Sequence, residues 1–228
     1  MARLANVALL SDLAIDLAPF EARCNWRRFG PEEVLVDFDD LTTDVYFLLS
    51  GDVRVLMRTA SGREVILDEM RAGELFGELA AMDGVSRSAN VSALTRGEVC
   101  VMPASVFREL VFSAQDVADR LFRLLTARVR ELNGRLVEQT VLDLRHRLYS
   151  ELLRLSVPRG SGAGERVVTP PPFHHDLAAR IGCRREQVTR EFTMLTQEGL
   201  IERTRGALVL RRPEVLQARV ADVMREDA

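Results

Sequence analysis

"RAGELFGELAAMDGVSRSANV", residues 71–91, carries three glycines, two glutamates and an Arg-Ser pair in a segment otherwise shaped like two short strands. Glycine allows a backbone to approach a bound group closely, an Arg fork with a hydroxyl suits an anion, and a carboxylate accepts from a hydroxyl. The stretch is therefore composed to hold something small and charged. What that is depends on the scaffold around it.

Working outward, short apolar runs alternate with turn signals from about Trp26 to Met102: "EVLVDF", "DVYFLLSG", "DVRVLMRT", "EVILDEM", "SANVSAL" and "GEVCVM". This spacing, with period-two segments such as Val53, Val55 and Met57, predicts an antiparallel β barrel or sandwich. Ser50-Gly51-Asp52 and Ala60-Ser61-Gly62 read as hairpin turns. Upstream, "MARLANVALLSDLAIDLAPF" is broken by Asp12 and Asp16 and has no small-residue cleavage pattern, so it reads as an amphipathic opening helix rather than a signal peptide.

Downstream the period changes. Between about Pro103 and Ser156 glycine and proline almost vanish, and Ala118, Leu121, Leu125, Val129, Leu132, Leu136 and Gln139 recur at steps of three and four. One narrow apolar stripe on a long helix suggests a coiled-coil seam and a homodimer through residues 115–139; the alternative is packing against the chain's own barrel. "VPRGSGAGERVVTPPPF", residues 157–173, is rich in glycine and proline and marks a domain boundary. Beyond it a helix, a tight turn, a second helix and a hairpin with Gly206 at its tip outline a winged helix-turn-helix. The whole is an α+β chain: an antiparallel β domain, a long helix and a C-terminal winged helix-turn-helix.

The charge distribution agrees. The 228 residues have a net charge of -3, and all 31 basic residues are arginine. Residues 1–156 hold 19 Arg against 24 acids, whereas 157–228 hold 12 against 10, and 180–212 alone hold 8 against 4. Positive charge is concentrated where a polyanion would bind.

At about 100° per residue, Val188, Phe192 and Leu195 form one face of the second helix of the turn. Arg185, Glu186, Thr189, Arg190, Thr193 and Gln197 fill the opposite arc. Arg forks match guanine O6 and N7, and Glu accepts from cytosine N4, so Arg185, Glu186 and Arg190 can read base edges in a major groove. The bland alternative is a solvated amphipathic helix. "DLAARIGCRREQVTREFTMLTQEGLI", residues 176–201, resembles the helix-turn-helix of the cyclic AMP receptor protein and fumarate-nitrate reduction regulator family. The resemblance implies base contacts from Arg185, Glu186 and Arg190. The accompanying DNA-facing set is Arg184, Thr189, His175 and Arg205. Two departures stand out: Arg184 replaces the usual Ser or Thr cap, which typically costs about 1 kcal/mol, and Phe173 replaces the Thr that commonly opens the first helix.

The same family supplies a reading for residues 71–91. Phe76-Gly77-Glu78-Leu79-Ala80 followed by Ser86-Arg87-Ser88-Ala89 is similar to its phosphate-binding cassette. That similarity implies Glu78 on the ribose hydroxyl of a cyclic nucleotide and Arg87 with Ser88 on the phosphate, within reach of Gly77 and Leu79. Counting back from Asp143 places Leu132-Asn133 where the receptor's base-contacting pair lies; Asn133 can bond a purine edge, Leu132 cannot. Cyclic AMP is favoured, with cyclic GMP or a cyclic dinucleotide as alternatives. The implied division is 1–112 cyclic-nucleotide sensor barrel, 113–156 dimerisation helix and hinge, and 157–228 winged helix-turn-helix. The implied partners are a second copy of the chain, a palindromic double-stranded operator and, as a further candidate, RNA polymerase.

Competing readings are narrower. A Glu78–Arg87 ion pair across a hairpin would give a regulator without effector, and a C-terminal domain that docks protein would give a signalling module without DNA. Cys24, Cys100 and Cys183 are scattered, which argues against disulfides, a zinc site or an iron-sulfur cluster and for buried structural thiols. His146, His174 and His175 all lie beyond the barrel, against haem or a metal there. No nucleophile, base and orienting acid converge, so an enzyme is not expected. No apolar run approaches the roughly 20 residues that cross a bilayer, which places the chain in the cytoplasm.

Overall fold

A computed structural model describes residues 3–59, 62–160 and 164–226. The turn residues Ala60 and Ser61 lie outside the described residues, as do 161–163 of the Gly- and Pro-rich boundary. The chain divides into two compact units, Met1–Arg128 and Val129–Ala228.

The first unit is built on two four-stranded sheets with antiparallel neighbours. One runs in the order β1 (Asn25–Phe29), β8 (Gly97–Met102), β3 (Val45–Ser50), β6 (Leu75–Phe76); the other runs β2 (Val34–Val36), β7 (Asn90–Ala93), β4 (Asp52–Arg58), β5 (Glu64–Arg71). The continuous apolar run "VYFLL" has a direct cause, because strand β3 is covered on both sides. Tyr46 and Leu48 join Phe29, Val53, Val91 and Val99 in one cluster. Val45 and Phe47 join Leu4, Leu10, Phe107, Leu110, Val117 and Leu121 in a second. That second cluster includes helix α3 (Ala104–Ser113) and the start of α4 (Gln115–Val141).

Three expectations for this unit are corrected. Ser50-Gly51-Asp52 is not a hairpin: β3 and β4 belong to different sheets, and the left-handed Gly51 (φ +83°) carries the chain across, where a Cβ would meet the Arg96 carbonyl at 2.7 Å. The alternation Val53, Val55, Met57 also breaks. Val55 pairs with Asp68 but Leu56 with Ile66, so Leu67 bulges and Leu56, not Met57, becomes buried. The opening segment is a 3-10 turn (Arg3–Asn6), further turns, and a single helical turn α1 (Ala18–Glu21) with Pro19 in its first turn. Asp12 takes the left-handed conformation (φ 56°), which no continuous helix tolerates.

Helix α4 breaks before residue 156. Asp143 caps a new helix, α5 (Leu144–Leu155), its carboxylate accepting from the His146 N-H at 3.0 Å. In the second unit Leu148, Tyr149 and Leu152 of α5 form a core with Leu177, Val188, Leu195 and Leu216 from α6 (His174–Ile181), α7 (Arg185–Gln197) and α8 (Pro213–Glu226). A small sheet completes it, in the order β11 (Ile201–Arg203), β12 (Leu208–Leu210), β10 (Arg166–Val168), β9 (Val157–Pro158). The antiparallel domain, the long helix and the C-terminal helices with their wing are those expected from the sequence. The stripe on α4 divides: Leu121 is buried and Ala118 and Leu125 are half-buried against their own β domain, while Val129, Leu132 and Leu136 are exposed. Among the cysteines only Cys100 is buried; Cys24 and Cys183 are half-exposed, and no disulfide joins them among the described residues.

Candidate functional site

Between β5 and β7 the chain folds into a short strand, a turn, one short helix and a loop. Strand β6 delivers Phe76 into the space between the sheets, where its ring stacks on Tyr46 with centroids 4.9 Å apart. Gly77, with φ +85°, then turns the chain into α2 (Glu78–Asp83). A Cβ at Gly77 would stand 2.6 Å from Arg87 Nη1 and 2.7 Å from the Asp44 carbonyl, so only glycine admits the guanidinium.

Arg87 enters from the loop before β7, and its main chain is fixed on both sides. Its N-H donates to the Asp40 carbonyl at 2.9 Å, and its carbonyl accepts from the Asp39 N-H at 3.0 Å. Ser86 Oγ donates to Asp39 Oδ1 at 2.9 Å. Arg87 is only 3% exposed, and its guanidinium donates to Thr42 Oγ1 (3.2 Å), the Gly77 carbonyl (3.1 Å) and the Asp44 carbonyl (2.8 Å). It also lies 5.7 Å from the Tyr46 ring centroid, a cation over an aromatic face. Burial raises the Tyr46 phenol above its ordinary pKa, with Arg87 opposing that shift.

Glu78, likewise 3% exposed, does not pair with Arg87. It accepts from Arg128 Nη1 at 2.6 Å, and Arg128 Nη2 donates to the Leu75 carbonyl at 3.0 Å. Arg128 belongs to α4, fifty residues away, and nothing in the local pattern of 71–91 points to it. Glu78, Arg87 and Arg128 line one cavity of about 120 Å³, with Val36, Val55, Phe76 and Gly77 forming other walls. Leu79 and Ser88 are exposed and also line it. The cavity thus brings together Gly77, Glu78, Leu79, Arg87, Ser88 and Arg128, and Thr42 and the Asp44 carbonyl hold the Arg87 guanidinium at its edge. Asn133 lies exposed on the second half of α4.

In the second unit Gly182, left-handed at φ 72°, closes α6, with the Cys183 N-H donating to the Ala178 carbonyl at 3.0 Å. Val188, Phe192 and Leu195 are buried, and Arg185, Glu186, Thr189, Arg190, Thr193 and Gln197 are all exposed, as the wheel requires. Arg184 occupies the N-cap of α7 without a side-chain acceptor; instead Gln187 Oε1 accepts from the Arg184 N-H at 3.0 Å. Half of a capping box thus replaces the missing hydroxyl. Phe173 caps α6 without a side-chain bond, and His175 is exposed, stacked on Phe173 and 3.5 Å from Asp176 Oδ1. Thr204 pairs with Ala207 to close the wing, leaving Arg205 exposed at its tip.

Two residues here had no sequence signal. Glu191 is buried on the inner face of α7, accepting from the Tyr149 hydroxyl at 2.6 Å and Arg145 Nε at 3.2 Å. His174 Nδ1 lies 2.9 Å from Thr189 Oγ1, joining the two helices, and its ring packs on Phe192. Burial, then the nearby Arg203 and Arg185, depresses the His174 pKa below its ordinary value.

A β domain with a polar cradle joined to a winged helix-turn-helix defines a ligand-binding, DNA-binding regulator. The cyclic nucleotide-binding domain family matches residues 26–114, and the Crp-like helix-turn-helix domain family matches 146–219. The chain is 31% identical over 192 residues to the cyclic AMP receptor protein of Thermus thermophilus, covering 84% of this chain and 86% of that protein. It is 28% identical over 167 residues to the CRP-like cAMP-activated global transcriptional regulator of Mycobacterium tuberculosis, covering 73% and 74%. Among solved structures, a mutant CooA of Carboxydothermus hydrogenoformans has a TM-score of 0.78 at 16% identity, covering 93% of this chain and 94% of that one. The c-di-GMP-responsive regulator CLP of Xanthomonas campestris has a TM-score of 0.71 at 22% identity, covering 85% and 97%. The chain belongs to the cyclic AMP receptor protein and fumarate-nitrate reduction regulator family, and is a transcription regulator with a cyclic nucleotide-binding domain and a DNA-binding helix-turn-helix, not an enzyme. No helix among the described residues is long and apolar enough to cross a membrane.

Proposed function

We propose that the protein is a homodimeric regulator whose binding to a palindromic operator is switched by cyclic AMP held in the β domain. The observation that carries this reading is the pair of buried, opposite charges Glu78 and Arg87, which line one cavity yet are not bonded to each other. A fold built for stability alone would neutralise them against one another. Held apart, they present a cation to a cyclic phosphate and a carboxylate to a ribose hydroxyl.

Each residue then has a role. Arg87 and Ser88 hold the phosphate, Gly77 and Leu79 bring the backbone against it, and Glu78 accepts from the sugar while Arg128 holds its carboxylate in place. Asn133 contacts the base. Cyclic AMP is preferred over cyclic GMP on the likeness to receptors named for it; a cyclic dinucleotide is the second reading, since one structural neighbour answers to c-di-GMP.

The domain division is 1–112 for sensing, 113–156 for dimerisation and hinge, and 157–228 for DNA. Two copies pair through residues 115–139, supported by the exposed Phe122, Val129, Leu132 and Leu136. Their α7 helices then reach successive major grooves about 34 Å apart, with Arg185, Glu186 and Arg190 on bases and Arg184, Thr189, His175 and Arg205 completing the interface. The nucleotide acts by binding the DNA-competent state more tightly than the other. The dimer works in the cytoplasm, and RNA polymerase is its partner at the promoter. Titration calorimetry with cyclic AMP, cyclic GMP and c-di-GMP tests the ligand. Saturable binding of one cyclic AMP per chain is expected, and heat from none of the three at millimolar concentration contradicts the reading.

A further inference from the structure

The β unit contains a second cavity, of about 320 Å³, on the far side of Leu75 and Arg128 from the nucleotide cradle. One wall is the opening segment, Ala8 and Leu9, which the Ala8 N-H fixes to the Gly73 carbonyl at 2.9 Å. The opposite wall is α4, through Arg120, Arg123, Leu124 and Arg128. At about 100° per residue, Arg120 and Arg123 lie at least about 100° around α4 from the exposed Phe122, Val129, Leu132 and Leu136, while Leu124 and Arg128 lie nearer that stripe, so the Arg120 and Arg123 side of the cavity faces away from it.

The lining is amphipathic. Leu9, Leu75 and Leu124 give an apolar floor, while three guanidinium groups stand around it against one carboxylate, Glu74, which already accepts from the Arg71 N-H at 2.6 Å. Arg120 is engaged with the Ala8 and Ser11 carbonyls, and among the described residues Arg123 pairs only with exposed Asp119, a weak partner. Arg128 lines both cavities and carries the Glu78 bond. Small-molecule sites have this make-up: a mostly apolar lining, a few convergent polar groups and a volume in the range of about 300–1,000 Å³.

We propose that this cavity is a binding site for a small amphipathic carboxylate, a medium-chain aliphatic acid, with its head on Arg123 and its tail on Leu9, Leu75 and Leu124. Its bound head attracts Arg128 away from Glu78. That leaves a buried carboxylate without its cation and weakens the sugar grip, so the acid opposes the nucleotide; this coupling rests on the nucleotide reading given above. By linkage the nucleotide weakens the acid by the same factor.

The test is calorimetric titration of the full chain with sodium octanoate, and with 1-octanol as the uncharged control. Saturable binding of one octanoate per chain is expected, at least about fivefold weaker for octanol and for Arg123→Ala, and lost in Ala8→Trp, which fills the cavity from its rim. In saturating octanoate the apparent Kd for cyclic AMP rises by about fivefold or more. Octanoate that does not saturate, or that binds Arg123→Ala and Ala8→Trp as tightly as the parent, overturns the site. An unchanged Kd for cyclic AMP overturns the coupling. If cyclic AMP itself fails to bind, the nucleotide reading falls while the octanoate titration still decides the cavity.

Discussion

Among the described residues the hydrogen-bond partners of the buried Arg87 guanidinium are all neutral oxygens: Thr42 Oγ1, the Gly77 carbonyl and the Asp44 carbonyl. Removing a charge from water with only neutral partners is a poor way to stabilise a fold. Arg87→Met is therefore expected to unfold within about 1 kcal/mol of the parent in the absence of nucleotide, because the relieved charge offsets three carbonyl and hydroxyl acceptors that lose a donor. Its affinity for cyclic AMP should fall by about 30-fold or more, the usual cost of deleting one member of a buried charge contact. Denaturant unfolding and calorimetry on the same preparation read both quantities. A loss of about 3 kcal/mol with unchanged affinity would make the residue structural. Glu78 differs, since Arg128 supports it. Gly77, Glu78, Arg87 and Ser88 were legible in the sequence because glycine permits a close approach, an Arg fork with a hydroxyl suits an anion and a carboxylate accepts from a neighbouring hydroxyl. Arg128 and Thr42 were not, because they reach the cradle from segments whose own patterns describe only a helix and a loop.

At the scale of elements, the recognition helix was the most legible part of the chain. Its apolar positions are spaced for one face, so the polar arc followed from periodicity alone. The opening segment was the least legible. Leu4, Val7, Leu9, Leu10 and Leu17 are all buried, yet by irregular turns packed on a sheet, and composition cannot distinguish that from an amphipathic helix. The contact between α6 and α7 carries a pH dependence. The folded pKa of His174 lies below its ordinary value near 6.5, so protons bind the unfolded chain more readily than the folded one. Its contribution to stability is complete above about pH 6.5 and declines as the pH falls below that toward the depressed value. Urea midpoints at pH 7.5 and 5.5 should differ more for the parent than for His174→Gln. Equal differences would show that Arg185, Arg203 and burial do not govern this histidine.

For the whole molecule, α4 joins two units and presents apolar residues that neither covers. Phe122 and Leu136 are each about two-thirds exposed, which in an otherwise polar helix marks a face awaiting a partner. Leu136→Glu is expected to sediment as a monomer at concentrations where the parent is a dimer; a dimer that persists would place the interface elsewhere. The most direct measurement of all is the fluorescence anisotropy of a labelled palindromic duplex, selected from a random pool, titrated with the protein at one fixed salt concentration with and without cyclic AMP. The expected result is at least about tenfold tighter binding with the nucleotide, a coupling of about 1.4 kcal/mol, and no difference for Arg87→Met. Equal affinity of the parent protein in the two titrations would contradict it.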